Sequence, residues 1–142
     1  MLSTYPACFF KEENGYSVIF PDFNIATCGN TLDESIEMAI DLLAGHIYSS
    51  EMDGEILQAP SSLSEINIDS VASELYDNQT DYSESFTNLV SVNVNEYAKL
   101  HFNKSVKKTL TIPDWMNRQA IAMGLNFSQV LQEALLQKIG MK

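Results

Sequence analysis

Histidine and cysteine are scarce in this 142-residue chain, two of each, and cationic residues are nearly missing from its first hundred positions. Cys8 and Cys28 are too few for a disulfide scaffold, which fits a reducing cytoplasm. Neither His46 nor His101 has a cysteine or aspartate beside it at metal-ligand spacing, so no metal and no cofactor is expected. Apolar runs are only a few residues long, far short of the roughly 20 that a membrane helix needs. The opening Met1-Leu2-Ser3-Thr4-Tyr5-Pro6 lacks a basic region followed by a hydrophobic segment, so no signal peptide is expected. No internal repeat, glycine-rich phosphate loop or nucleophile–base pair is present. Membrane-spanning and secreted readings drop out.

What the chain does have is charge, unevenly placed. Its 8 Lys+Arg and 19 Asp+Glu give a net of −11, and hydrophobic residues make up 45%, an ordinary globular share. Residues 1–100 hold 17 of the acids and only Lys11 and Lys99. Residues 101–142 hold Asp114 and Glu133 against Lys104, Lys107, Lys108, Arg118, Lys138 and Lys142. The sum therefore hides two opposite parts, one suited to a basic partner and the other to a polyanion.

The acidic part reads as α+β. Tyr5 to Phe10 and Tyr16 to Phe20 are aromatic and β-branched runs around Asn14-Gly15, a hairpin signature. Asn24 to Cys28 predicts a third strand ending at Gly29. Thr31 and Glu34 form a capping box, after which Leu32, Ile36, Ala39, Ile40, Leu43 and Ile47 recur at helical spacing. Asp33, Glu34, Glu37 and Asp41 take the other face, most simply a solvated one. Residues 49–87 are the least patterned, with a short helix expected around Leu63 to Leu75 and an acidic loop from Asp77 to Ser85. Leu89 to Val94 alternates with period two and returns as a strand.

The basic part is strand, helix, helix. Val106, Leu110 and Ile112 share one face of a strand, and Lys107, Thr109 and Thr111 the other. Pro113 and Asp114 suit a helix start, Gly124 a helix end, and Asn126 with Gln129 a second start. Phe127, Val130, Leu131, Ala134, Leu135 and Ile139 form an apolar stripe. So small a unit cannot bury enough surface alone and is expected to pair with a second copy. A polar-faced edge strand is the bland alternative for residues 106–112 taken in isolation. The two following helices favour a two-stranded ribbon that fits the major groove of B-DNA.

Lys107-Lys108-Thr109-Leu110-Thr111-Ile112-Pro113-Asp114-Trp115, followed by Gly124-Leu125-Asn126-Phe127-Ser128-Gln129-Val130-Leu131, resembles the ribbon-helix-helix domain of HicB-type antitoxins. Tyr5-Pro6-Ala7, Gly15-Tyr16-Ser17-Val18, Phe20-Pro21-Asp22-Phe23 and Gly29-Asn30-Thr31-Leu32-Asp33-Glu34-Ser35 are similar to the N-terminal domain of that family. Asn24 to Cys28 depart from it, since many relatives carry a Pro-Gly-Cys turn there. The resemblance implies an antitoxin that neutralises HicA, a small basic RNA-cleaving toxin, and represses its own operon. It also implies a small antiparallel sheet with a helix in a partial RNase H-like arrangement, followed by a ribbon-helix-helix dimerisation domain.

The expected division is a toxin-binding domain at 1–97, a linker at 98–104 and a DNA-binding domain at 105–142. Lys107, Thr109 and Thr111 are the candidate base readers, with Lys104, Asn126 and Ser128 on phosphates. Val106, Leu110, Ile112, Trp115, Val130, Leu131 and Leu135 are the candidate dimerisation residues, in a homodimer or a higher oligomer. Glu12, Glu13 and Asp22 stand for an acidic toxin-binding surface. RNase H-type catalysis needs clustered carboxylates for two metals, and the first strand offers none, so no enzyme is expected. Met116, Met123 and Met141 read as core filling, and both cysteines as small buried hydrophobes. The alternative is a ligand-sensing ribbon-helix-helix regulator without a toxin partner.

Overall fold

Asn14-Gly15 turns the first twenty residues back on themselves. Gly15 takes a left-handed φ of 84°, and Glu12 N–H donates to its carbonyl at 3.0 Å. In the computed structural model, which describes residues 1–76, 83–102 and 105–140, this joins β1 (Ser3–Lys11) to β2 (Tyr16–Phe20). A second turn, with Asn24 at a φ of 54°, leads into β3 (Ile25–Gly29). Asn24 is the first residue of the stretch that departs from the resembled pattern, the rest of which lies in β3, and asparagine is among the residues that tolerate the left-handed region. β4 (Phe86–Val92) pairs antiparallel with β1, from Ser3 opposite Val92 to Phe9 opposite Phe86. The sheet order is β3-β2-β1-β4.

β1 lies between two partners and is buried continuously from Tyr5 to Phe10. A strand wet on one face would alternate; this one is covered on both. Tyr5, Ala7 and Phe9 join the larger core with α1 (Leu32–Met52). Cys8, Phe10 and Ile19 join Ala72 of α2 (Ile68–Leu75), with Ile66, Ile68, Val71 and Tyr76 packed around them. A single 3₁₀ turn, Leu63–Glu65, precedes α2, so the expected helix is a turn and a shorter helix.

α1 begins as its capping residues predict: Thr31 Oγ1 accepts from Glu34 N–H at 3.1 Å, and Glu34 reaches back to the Asn30 N–H at 2.9 Å. Its buried residues are Ser35, Ala39, Leu43, Ala44, Ile47 and Ser50. Leu32 and Ile36, expected inside, are exposed. The small residues at 35 and 39 bring the first turns close to β3: a Cβ on Gly29 would lie 2.5 Å from the Ser35 nitrogen. Cys28 is also a correction, being exposed on the edge strand while Cys8 is fully buried.

α3 (Val94–His101) was not anticipated, although Asn93 caps it by accepting from Glu96 N–H at 3.2 Å. It takes up the first four residues of the expected 98–104 linker. Tyr97 donates to Asp41 at 2.9 Å, and Phe102 sits against Tyr48 with ring centroids 5.4 Å apart, so this helix is docked on α1. Most of the expected acidic loop, residues 77–82, lies outside the described residues.

The chain divides into two compact units, Met1–Lys104 and Ser105–Lys142. In the second, α4 (Asp114–Ala122) is closed by Gly124 at a φ of 69°, with Leu125 N–H donating back to the Ala120 carbonyl at 3.1 Å. α5 (Phe127–Ile139) starts at Asn126, whose side chain accepts from Gln129 N–H at 3.1 Å. Residues 105–113 form no strand here. A strand is defined by hydrogen bonds to a neighbour, and a single chain supplies none to this segment.

Candidate functional site

The second unit has no buried residue among those described. Val106, Leu110, Ile112, Trp115, Val130 and Leu135 are exposed, and Leu131 is half-buried. Met116 and Met123, expected as core filling, are exposed as well, and Met141 lies outside the described residues. An apolar set of this size, wet in a single chain, is a surface awaiting a cover. Helical propensity and the caps shape the two helices, but they cannot supply the missing core.

Lys107, Thr109 and Thr111 are all exposed, on the segment before α4; Lys104 lies outside the described residues. Asn126 spends its side-chain oxygen on the cap of α5, and Ser128 follows it in the exposed first turn. The first N–H groups of a helix have no acceptor within it, which makes such an end electropositive. Charge here is cationic at Lys107, Lys108 and Lys138, while Arg118 is paired with Asp114 at 2.9 Å on the surface.

The three acidic candidates of the first unit have different positions. Glu12 accepts from the Ser17 hydroxyl at 2.8 Å and from the Tyr76 hydroxyl, joining the hairpin to the end of α2. Asp22 accepts from Ser61 N–H at 2.9 Å, the Ser61 hydroxyl at 2.6 Å and Gln58 Nε2 at 3.2 Å. Together with Tyr5, which donates to the Gln58 carbonyl at 2.7 Å, it holds the segment after α1 against the sheet. Glu12 and Asp22 therefore serve internal architecture, and Glu13 is exposed. Exposed acids are spread over the unit, among them Asp33, Glu34, Glu37, Asp41 and Glu51 on α1.

Titration behaviour follows this geometry. Burial and then the Glu12 hydrogen bond push the Tyr76 phenol up to about 12, and burial with the Asp41 hydrogen bond does the same for Tyr97. Burial, with the Asp22 charge second, raises Tyr5. The buried Cys8 thiol is also raised, which suits packing better than nucleophilic chemistry. His46 lies beside the Phe23 ring at 4.4 Å and His101 stacks on Tyr97 at 4.0 Å. Among the described residues no group of three or more His, Cys, Asp or Glu is placed to hold a metal, and no helix is long and apolar enough to cross a membrane.

Sequence reasoning missed the latch formed by Tyr97 and Phe102 and the Glu12–Tyr76 tie. The first had a readable signal, since Asn93 and Glu96 have capping-box spacing directly after a strand. The second had none, because its partners lie 64 positions apart.

No protein-family model and no curated protein matches the chain. Among solved structures, it is similar to a chain of a toxin–antitoxin complex from Streptococcus pneumoniae, with 34% identity and a TM-score of 0.64 over 97% of this chain and 99% of that one. An antitoxin HicB3 structure is 25% identical, with a TM-score of 0.47 over 96% and 98%. The Burkholderia pseudomallei antitoxin HicB is 19% identical, with a TM-score of 0.47 over 96% of each chain.

Proposed function

The chain belongs to the HicB-type antitoxin family, and from that premise we propose that its two units divide the work of an antitoxin and an autorepressor. The acidic Met1–Lys104 unit binds and masks a basic, HicA-type RNA-cleaving toxin. The Ser105–Lys142 unit pairs with a second copy and binds operator DNA through the major groove. The observation that carries the second half is the lack of any buried residue among the described residues of that unit. Folding two helices with no core is unfavourable, and the apolar set becomes a core only when it is shared.

In the paired form, residues 106–112 of each copy become antiparallel neighbours. Val106, Leu110 and Ile112 then face the shared core, and Lys107, Thr109 and Thr111 face the groove. Lys104 and the start of α5 at Asn126 and Ser128 meet phosphates. The meander of β1, β2 and β3 with α1 behind it supports reading the first unit as a partial RNase H-like arrangement. β1 carries no carboxylate, and we assign the domain a masking rather than a catalytic role.

Toxin binding is favoured by the sign of the charge. A protein that grips RNA presents cations, and the acidic unit draws such a surface from a distance. The deciding experiment is co-expression with the product of the neighbouring reading frame. Co-purification, loss of RNA cleavage and a shift of the upstream DNA support the whole reading. DNA binding without any co-purified toxin supports a ligand-sensing regulator in its place.

A further inference from the structure

Leu32, Ile36, Ile40, Leu43 and Ile47 follow one another at i, i+4, i+8, i+11 and i+15, a single stripe along α1. The sheet covers one half of it. Leu43 and Ile47 are 0% and 1% exposed, whereas Leu32 and Ile36 are each 39% exposed. The cause is local: Ser35 and Ala39 are the residues that meet the sheet in the first turns, and the close approach at Gly29 seats the helix on them. The stripe thus runs out of the core toward the helix N-terminus. Beside it, also at four-residue spacing, stand the exposed carboxylates Asp33, Glu37 and Asp41.

An apolar strip with an anionic border is the anatomy of a protein-binding surface, with desolvated anchors at the centre and charge at the rim. Its sign selects the occupant. A second copy packed strip to strip would bring another anionic border beside Asp33 and Glu37, which is repulsive. A cationic protein surface gains both the apolar contact and the charge pairing. We propose that the first half of α1, with Leu32 and Ile36 as anchors and Asp33 and Glu37 as rim, is where the basic toxin docks. This rests on the antitoxin reading above and moves the docking surface away from Glu12 and Asp22, whose oxygens are engaged within the fold.

The test uses the full-length chain and the toxin with which it co-purifies. Ile36→Ser removes an anchor, Glu37→Lys reverses a rim charge at an exposed position, and Glu51→Lys makes the same charge change at the far end of α1. Ile36→Ser is expected to weaken binding by about tenfold, mainly through faster dissociation. Glu37→Lys is expected to slow association at low salt, with the difference from wild type shrinking as salt rises. Glu51→Lys is expected to bind nearly as wild type. Wild-type binding by both Ile36→Ser and Glu37→Lys overturns the docking surface while leaving the antitoxin reading intact. An altered oligomeric state in Ile36→Ser with unchanged toxin binding also overturns it, in favour of self-association. A wild-type chain that holds no toxin overturns the antitoxin reading, and this proposal with it.

Discussion

The Tyr76 hydroxyl donates to the carboxylate of Glu12, fastening the end of α2 to the hairpin turn across 64 positions of sequence. Ser17 donates to the same carboxylate oxygen, so one acidic side chain closes the outer layer over Cys8, Phe10 and Ile19. That outer layer is short, and losing its tie has a measurable effect.

Tyr76→Phe is expected to lower stability by about 0.5–1.5 kcal/mol, the usual net worth of such a bond, read as the urea midpoint at neutral pH. The phenol's folded value of about 12 lies above its ordinary 10.0, so the folded state keeps a proton that the unfolded state releases in between. Stability from this group is therefore intact below pH 10 and declines between pH 10 and 12. Over that window the wild type should lose stability more steeply than Tyr76→Phe.

Gly29→Ala places a methyl 2.5 Å from the Ser35 backbone nitrogen, where no flexible side chain can yield. Either β3 or α1 must shift, at a cost of about 1–3 kcal/mol or more. Gly15→Ala meets the Gly29 carbonyl at 1.8 Å and is expected to be at least as damaging, since Gly15 also holds a φ of 84°. Thermal unfolding of both variants against wild type is the measurement.

Leu110→Asp is expected to abolish dimerisation and operator binding together, because in the proposed pairing one strand would build both the shared core and the groove-facing surface. Sedimentation and a gel-shift assay should change in step. A stably folded, monomeric fragment of residues 101–142 would falsify the pairing argument.

Thr109→Ala should alter sequence preference, at about 1–3 kcal/mol for a lost base contact, whereas Lys104→Ala should weaken all DNA sequences alike. A selection from randomised operators reads out both. The opposite pattern would mean that the other face of the strand enters the groove.

A fragment of residues 1–102 should neutralise the toxin without binding operator DNA, with an association rate that falls as salt rises. A fragment ending at Asn95 should be less stable, because it removes Tyr97 and Phe102 from their sites on α1. Comparing the two by unfolding and by toxin inhibition separates the contribution of α3 from that of the sheet.

The elements legible in the sequence are those with local signals. Asn14-Gly15, Thr31 with Glu34, Asn126 with Gln129 and Gly124 each act within a few residues, and each appears where its chemistry demands. The stripe on α1 was read as wholly internal because periodicity gives a helix its apolar face and not the extent of the sheet beneath it. Residues 106–112 have a strand pattern without a strand in the single chain, since pattern encodes a preference and pairing needs a neighbour. The sequence offers Asp22 as part of an acidic toxin-binding surface, and its contacts with Ser61 and Gln58 are invisible there because nothing local links residue 22 to residues 58–61. The charge split was visible from counting alone, whereas which acids face solvent required the fold.

The pairing of β1 with β4 has a consequence for synthesis. Thr4 and Ser91 touch across 87 positions, so the first strand made is the last to gain its second neighbour. β2, β3 and α1 assemble from contiguous sequence, while one edge of β1 waits until β4 leaves the ribosome. Until then a nascent chain exposes the backbone of its most apolar strand, a template for mispairing with other nascent copies. A ribosome stalled before residue 86 would hold an aggregation-prone precursor, which makes the supply of functional protein sensitive to translation speed through its third quarter.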